Sequence, residues 1–174
     1  MKCNRLVDVG RRQFLRGGLV ATAGAAAATV VGTGQAKATA SLALVDYPAN
    51  RLANISELAV NEPMDISYPD ENSPGILLKL GQAVEGGVGP DGDIVAYSVL
   101  CPHKGWQLSY NAGDKTLNCP GHHSRFDCES GGQQVWRHAT QNLPQFKLRV
   151  DDKGDIYAEG VDELIYGRLS NVVA

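Results

Sequence analysis

Aromatic side chains are scarce in this chain, which has two Trp, six Tyr and three Phe among 174 residues. No stretch carries apolar residues at a sustained helical period, which each helix of a bundle needs to bury one face. A small β-rich domain is therefore favoured over a helical bundle. No internal repeat is present, and neither is a phosphate loop. Gly86-Gly-Val-Gly-Pro-Asp-Gly92 is rich in glycine, but it lacks the Gly-Lys-Ser/Thr ending and no helical run follows it. Long hydrophobic runs are missing too. In the stretch Gly17 to Gly34 only Leu19, Val20, Val30 and Val31 are strongly apolar, too few for a stable membrane span.

What the chain does have is glycine, twenty in all, and short apolar runs separated by turn residues. That pattern belongs to a small all-β domain. Strands are predicted over Ser41 to Tyr47, Ile55 to Val60, Ile76 to Leu80 and Asp93 to Leu100, with a hairpin of Phe146 to Val150 and Asp155 to Ala158 around Asp151-Asp-Lys-Gly154. Breaks fall at Asn61-Glu-Pro63, at Tyr68 to Pro74 and at Ser130-Gly-Gly132. The expected organisation is a β base made from both ends of the domain, interrupted by a loop-built insertion from about Cys101 to Pro144. The tail from Val161 onward has apolar residues too irregularly spaced to predict an element.

The amino terminus reads differently. Arg11-Arg12-Gln13-Phe14-Leu15-Arg16 precedes a weakly apolar Gly/Ala-rich segment that ends near Ala36-Lys37-Ala38, and this resembles a twin-arginine export signal. Residues 1–38 are then the signal and 39–174 the exported domain, with the periplasm as its expected location. That route carries folded proteins. Residues 1–38 hold six of the sixteen basic residues and one of the nineteen acidic ones, leaving ten against eighteen, a net charge of −8. Such a domain does not seek nucleic acid or anionic lipid. Cys3 leaves with the signal, so Cys101, Cys119 and Cys128 remain. An odd number in an oxidising compartment argues against a disulfide framework.

Two of these cysteines sit in short boxes with histidine. Cys101-Pro-His103 and Cys119-Pro-Gly-His122 are separated by fifteen residues. Two thiolates and two imidazoles presented from two loops are the ligand set of a Rieske 2Fe-2S centre. The same four donors also suit tetrahedral zinc, although the spacings differ from those usual in zinc sites. His123 adjoins a ligand position and is expected to face solvent. His138 is expected at the surface or an interface, and Lys104 and Arg125 as solvated flanks.

The stretch resembles Rieske proteins, whose boxes read Cys-x-His-x-Gly-Cys and Cys-x-Cys-His-x-Ser. Cys101, His103, Gly105, Cys119, His122 and Ser124 match. The resemblance implies an antiparallel β-sheet domain with a loop-built cluster-binding subdomain, and a 2Fe-2S cluster held by Cys101, His103, Cys119 and His122. Trp106 and Gly121 stand where many members place a disulfide between the two loops, so loop rigidity must come from packing or from a partner. Ser124 matches the serine whose hydroxyl donates to a cluster sulfide. Phe126 replaces a tyrosine that donates to a ligand thiolate in high-potential members, which implies a lower potential here. Leu143-Pro144 resembles the proline-containing loop that covers the cluster.

Beyond the boxes, Tyr47 to Arg51, Gly86 to Ile94, Cys101 to Gly105, Gly132 to Trp136, Ala139 to Gln145 and Glu159 to Val172 are similar to the small subunit of arsenite oxidase. That resemblance implies an electron-transfer subunit with no catalytic residue of its own. Its partners would be a large molybdopterin subunit carrying a 3Fe-4S cluster and an acceptor, a periplasmic cytochrome c or an azurin-like copper protein. The alternative is the Rieske subunit of a cytochrome bc complex, which keeps its signal as a membrane anchor.

Overall fold

A computed structural model describes residues 46–172. The export signal, its cleavage point and most of the expected strand from Ser41 to Tyr47 lie outside the described residues. Within them, Asp46 and Tyr47 are irregular, and the first strand, β1, is Asn50–Asn54. The fold is all-β, with ten strands and one short 3-10 turn among the described residues. Among the described residues no helix is long and apolar enough to cross a membrane.

Two strands organise the rest. β3 (Pro74–Lys79) and β4 (Ile94–Ser98) pair antiparallel, with Ile76 opposite Tyr97, Leu77 opposite Ala96 and Leu78 opposite Val95. Every residue of β4 is buried. Their side chains divide by parity, as a pleat requires. Leu77, Ile94 and Ala96 join one core, while Ile76, Leu78, Val95 and Tyr97 join a second core that also contains Cys101 and Cys119. Burial on both faces is why Ile76-Leu-Leu and Ile94-Val-Ala-Tyr read as continuous apolar runs rather than alternating ones.

The first core is closed by β2 (Met64–Ser67), which pairs with β3, and by a sheet in the order β1, β10 (Asp155–Val161), β9 (Phe146–Val150). Asn50 lies opposite Ala158, so the two ends of the domain meet in one sheet. β10 alternates, with Ile156 and Ala158 buried, and Arg149 on β9 pairs with Glu159 at 2.6 Å on the outer face. The second core is roofed by a sheet in the order β5 (Ser109–Asn111), β6 (Thr116–Asn118), β7 (Arg125–Asp127), β8 (Gln133–Trp136). Leu117 and Phe126 are paired and fully buried. Tyr97 fastens this sheet to the wall, its hydroxyl donating to the Cys128 carbonyl at 2.9 Å.

One expectation is corrected. Ile55 to Val60 is not a strand: Ile55–Glu57 forms the 3-10 turn. Asn54 Oδ1 accepts from the Ser56 N–H at 3.0 Å and the Ser56 hydroxyl at 2.7 Å, a side-chain bond that diverts the backbone from a ladder. The tail, left without an element in the sequence reading, docks on its own domain. Ile165 is buried in the first core, and Arg168 reaches Asp70 with two bonds of 2.6 and 2.8 Å. That pairing holds the Asp70 carboxyl below the usual carboxylate range. A depressed folded-state pKa means its contribution is complete above the unfolded pKa and is lost only as pH falls through the folded value.

Gly75 on β3 tests the double-sided packing. A Cβ there would stand 2.5 Å from Phe146 Cε2 and 3.0 Å from the Tyr97 carbonyl oxygen. Gly75→Ala is expected to destabilise the fold by about 1–3 kcal/mol, the range for overpacking a core, seen as a lower urea midpoint at unchanged slope.

Candidate metal centre

Loop 1 follows β4 and loop 2 joins β6 to β7, and both are built on the same backbone frame. In loop 1 the Gly105 N–H returns to the Cys101 carbonyl at 2.7 Å, and the Cys101 N–H bonds the Trp106 carbonyl at 2.9 Å. In loop 2 the His123 N–H returns to the Cys119 carbonyl at 3.0 Å, and the Cys119 N–H bonds the Ser124 carbonyl at 2.9 Å. The residue four places after each cysteine is left-handed, Gly105 at φ 69° and His123 at φ 60°. The second donor does not share this register: His103 is two places after its cysteine and His122 is three.

The loops bring the four donors of the two boxes together. Cys101 and Cys119 are both free and buried in the same core. The rings of His103 and His122 meet edge to face, their centroids 4.8 Å apart. Burial pushes the Cys101 thiol pKa up, while hydrogen bonding from the backbone N–H groups of His103 and Lys104 acts the other way. Burial lowers the pKa of His103, with smaller contributions from His122, Lys104 and His138. His103 Nδ1 is buried and has no hydrogen-bond partner. An unpaired buried imidazole nitrogen is costly unless something else takes its lone pair, and a metal does.

The donor set fits a two-iron cluster on these grounds. Two buried thiols from two loops, with two imidazoles in contact beside them, suit a centre that takes two protein ligands on each iron.

The remaining sequence candidates fall as follows. Ser124 is fully buried, and its hydroxyl oxygen accepts the Ala139 N–H at 3.1 Å, which leaves the hydroxyl hydrogen for another acceptor. Phe126 is buried beside Leu117 and has no donor to offer. Trp106 lies on Gly121, where a Cβ would stand 3.0 Å from the indole Cδ1 and Nε1, so the two positions that lack cysteine touch each other. Pro144 is buried and its carbonyl accepts the Ser98 N–H at 2.9 Å, tying it to β4. His123 and Lys104 are exposed. Arg125 is half-buried and paired with Asp114 and Asn118 rather than simply solvated. Cys128 is buried and unpaired, its thiol pushed up to about 12 chiefly by burial.

His138 is exposed, as expected of a surface residue, but its ring also lies 6.1 Å from those of both His103 and His122, a proximity not expected from the sequence. The bond from Ala139 to Ser124 fixes its neighbour against loop 2. The available signal was the clustering of all four histidines between positions 103 and 138.

Comparison with known proteins agrees with this geometry. The Rieske [2Fe-2S] domain family matches residues 50–147. The chain is 41% identical over 167 residues to the iodate reductase subunit IdrB of Denitromonas iodatirespirans, covering 94% of this chain and 86% of that one. It is 40% identical to the cytochrome bc1 complex Rieske iron-sulfur subunit of Corynebacterium efficiens, but over 70 residues, which are 40% of this chain and 17% of that one. Among solved structures, the soluble domain of Rieske protein II from Sulfolobus acidocaldarius superposes with a TM-score of 0.59 at 27% identity, covering 68% of this chain and 80% of that one. Two ligand loops of one frame on an antiparallel β base, a domain match across both boxes and a relative spanning nearly the whole chain place this protein in the Rieske iron-sulfur family, with a 2Fe-2S cluster as its cofactor.

Proposed function

We propose that Cys101 and Cys119 hold one iron of the cluster and His103 and His122 the other. On this reading the chain relays single electrons for a large molybdopterin subunit that carries a 3Fe-4S cluster. The observation that carries the ligand assignment is the buried, unpartnered Nδ1 of His103 against the ring of His122, in a site that also holds the buried Cys101 and Cys119. When bound, a cluster with two neutral imidazoles supplies one-electron transfer at a potential roughly several hundred millivolts above that of an all-thiolate cluster.

The chain's own residues set the rest. The His103 and Lys104 amides offset charge on the Cys101 thiolate, and Ser124 has a hydroxyl hydrogen free to donate into the site. Phe126 contributes no donor, so the potential is expected below that of quinol-oxidising Rieske proteins. Voltammetry should find Phe126→Tyr higher and Ser124→Ala lower than the parent, since each donor to the cluster or its thiolates stabilises the reduced form.

For the complex, the span of the iodate reductase relative favours reduction of an oxyanion such as iodate, with this subunit delivering electrons. The segments similar to the arsenite oxidase small subunit favour the opposite flow, arsenite to arsenate, with this subunit collecting them. In either case the other redox partner is a cytochrome c or azurin-like copper protein in the periplasm, reached through twin-arginine export. A bc complex is disfavoured because the relative of that kind matches over 70 residues, 40% of this chain, where the iodate reductase relative covers 94% of it.

The deciding experiment is purification from the periplasm, with molybdenum analysis and cluster absorbance. Iodate should reoxidise the dithionite-reduced cluster within an intact complex, or arsenite should bleach the oxidised one. Isolation with membrane cytochromes, and response to neither oxyanion, would overturn the reading.

A second expectation separates the adjacent histidines. His122→Ala should lose iron and acid-labile sulfide. His123→Gly should retain both and be neutral or stabilised by up to about 1 kcal/mol, because it relieves a left-handed residue with a side chain.

A further inference from the structure

The tail beyond β10, from Asp162 to Val172, is fastened at several points. Asp162 exchanges bonds with Gln145: its N–H donates to the Gln145 carbonyl at 3.1 Å, and its Oδ1 accepts the Gln145 N–H at 2.7 Å. Asn171, nearly fully buried, accepts from the Ile165 N–H at 2.9 Å and donates to the Glu163 carbonyl at 2.8 Å and the Tyr47 hydroxyl at 3.1 Å. Arg168 grips Asp70 with two bonds and donates to the Asn171 carbonyl at 3.2 Å. A turn closed by the Arg168 N–H to the Ile165 carbonyl at 3.2 Å leaves Tyr166 and Gly167 at its tip.

The tip lands on loop 1. A Cβ at Gly105 would stand 2.4 Å from Tyr166 Cε1 and 2.5 Å from Cδ1, so the ring lies against the bare Cα of the left-handed glycine that closes the Cys101 turn. Two residues before that glycine is His103. The residue after it is Trp106, whose indole lies on Gly121, the neighbour of His122. The contacts therefore run from the base, through Arg168 and Tyr166, to loop 1 and onward to loop 2.

We infer that Tyr166 is a positioning residue for the cluster: the tail is a strap that presses its ring on Gly105 and sets loop 1 against loop 2, in place of a disulfide. This rests on the reading of Cys101, His103, Cys119 and His122 as ligands. The strap acts through Gly105, the residue its ring contacts.

The test uses the full exported chain with its cluster, alone or in its complex. Tyr166→Ala removes the ring, Tyr166→Phe keeps it, and Asp70→Asn weakens the clamp on Arg168 without touching the loop. Iron release to a ferrous chelator is followed at equal distances below each protein's melting temperature, and the reduced cluster is examined by electron paramagnetic resonance. Tyr166→Ala should release iron about tenfold faster than the parent, the lower end for losing an outer support of a metal site, and broaden the resonance. Asp70→Asn should move both readouts in the same direction by less, and Tyr166→Phe should match the parent. A parental release rate and resonance in Tyr166→Ala overturns the inference, as does Tyr166→Phe behaving like Tyr166→Ala. Should Tyr166→Ala fail to fold, unchanged readouts in Asp70→Asn overturn it. If the parent itself binds no iron and sulfide, the ligand assignment is what fails.

Discussion

The strand pair β3 and β4 has no solvent face, and the rest of the molecule follows from that. Side chains of one parity fill the core of the base, and those of the other fill the core under the ligand loops. Because β4 runs directly into Cys101, the first ligand loop starts from a fully buried strand. A cysteine placed there is desolvated by the fold itself. Its thiol pKa is raised by burial, and hydrogen bonding from the amides of His103 and Lys104 offsets charge when a metal displaces the proton.

The same burial explains what could be read from the sequence. Continuous apolar runs marked β3 and β4, and the Asp151-Asp-Lys-Gly154 turn marked the hairpin of β9 and β10, where Asp151 Oδ1 accepts from both Lys153 and Asp155. Strands β5 to β8 were illegible because each is three or four residues long. In β6 and β7 a single buried apolar residue, Leu117 or Phe126, sits between polar ones, too little to show a period. The boxes were legible as donor spacing. His138 was not, since its approach to the other imidazoles depends on the turn after β8, where Arg137 adopts φ 73°, and no local pattern encodes that distance. The strap was hidden for a similar reason. Arg168 and Asp70 are far apart in sequence, and only the closed fold makes them neighbours.

Each ligand loop satisfies its own backbone. The cysteine N–H and C=O are both used within the loop, by Trp106 and Gly105 in one and by Ser124 and His123 in the other. What such frames leave undetermined is the placement of one loop relative to the other. A disulfide would fix that covalently, but Trp106 and Gly121 exclude one. The replacement is an aromatic ring on a glycine, used twice: Trp106 on Gly121 and Tyr166 on Gly105. In both cases the glycine matters because any side chain would occupy the space the ring fills. The contact relies on shape and apolar burial and adds no second redox-active sulfur pair beside the cluster. It also carries a dependence that a disulfide lacks. The ring of Tyr166 is held in place by Arg168 and Asn171, so the geometry of the site is coupled to the far end of the chain, and through β1 and β10 to the sheet in which both ends of the domain meet.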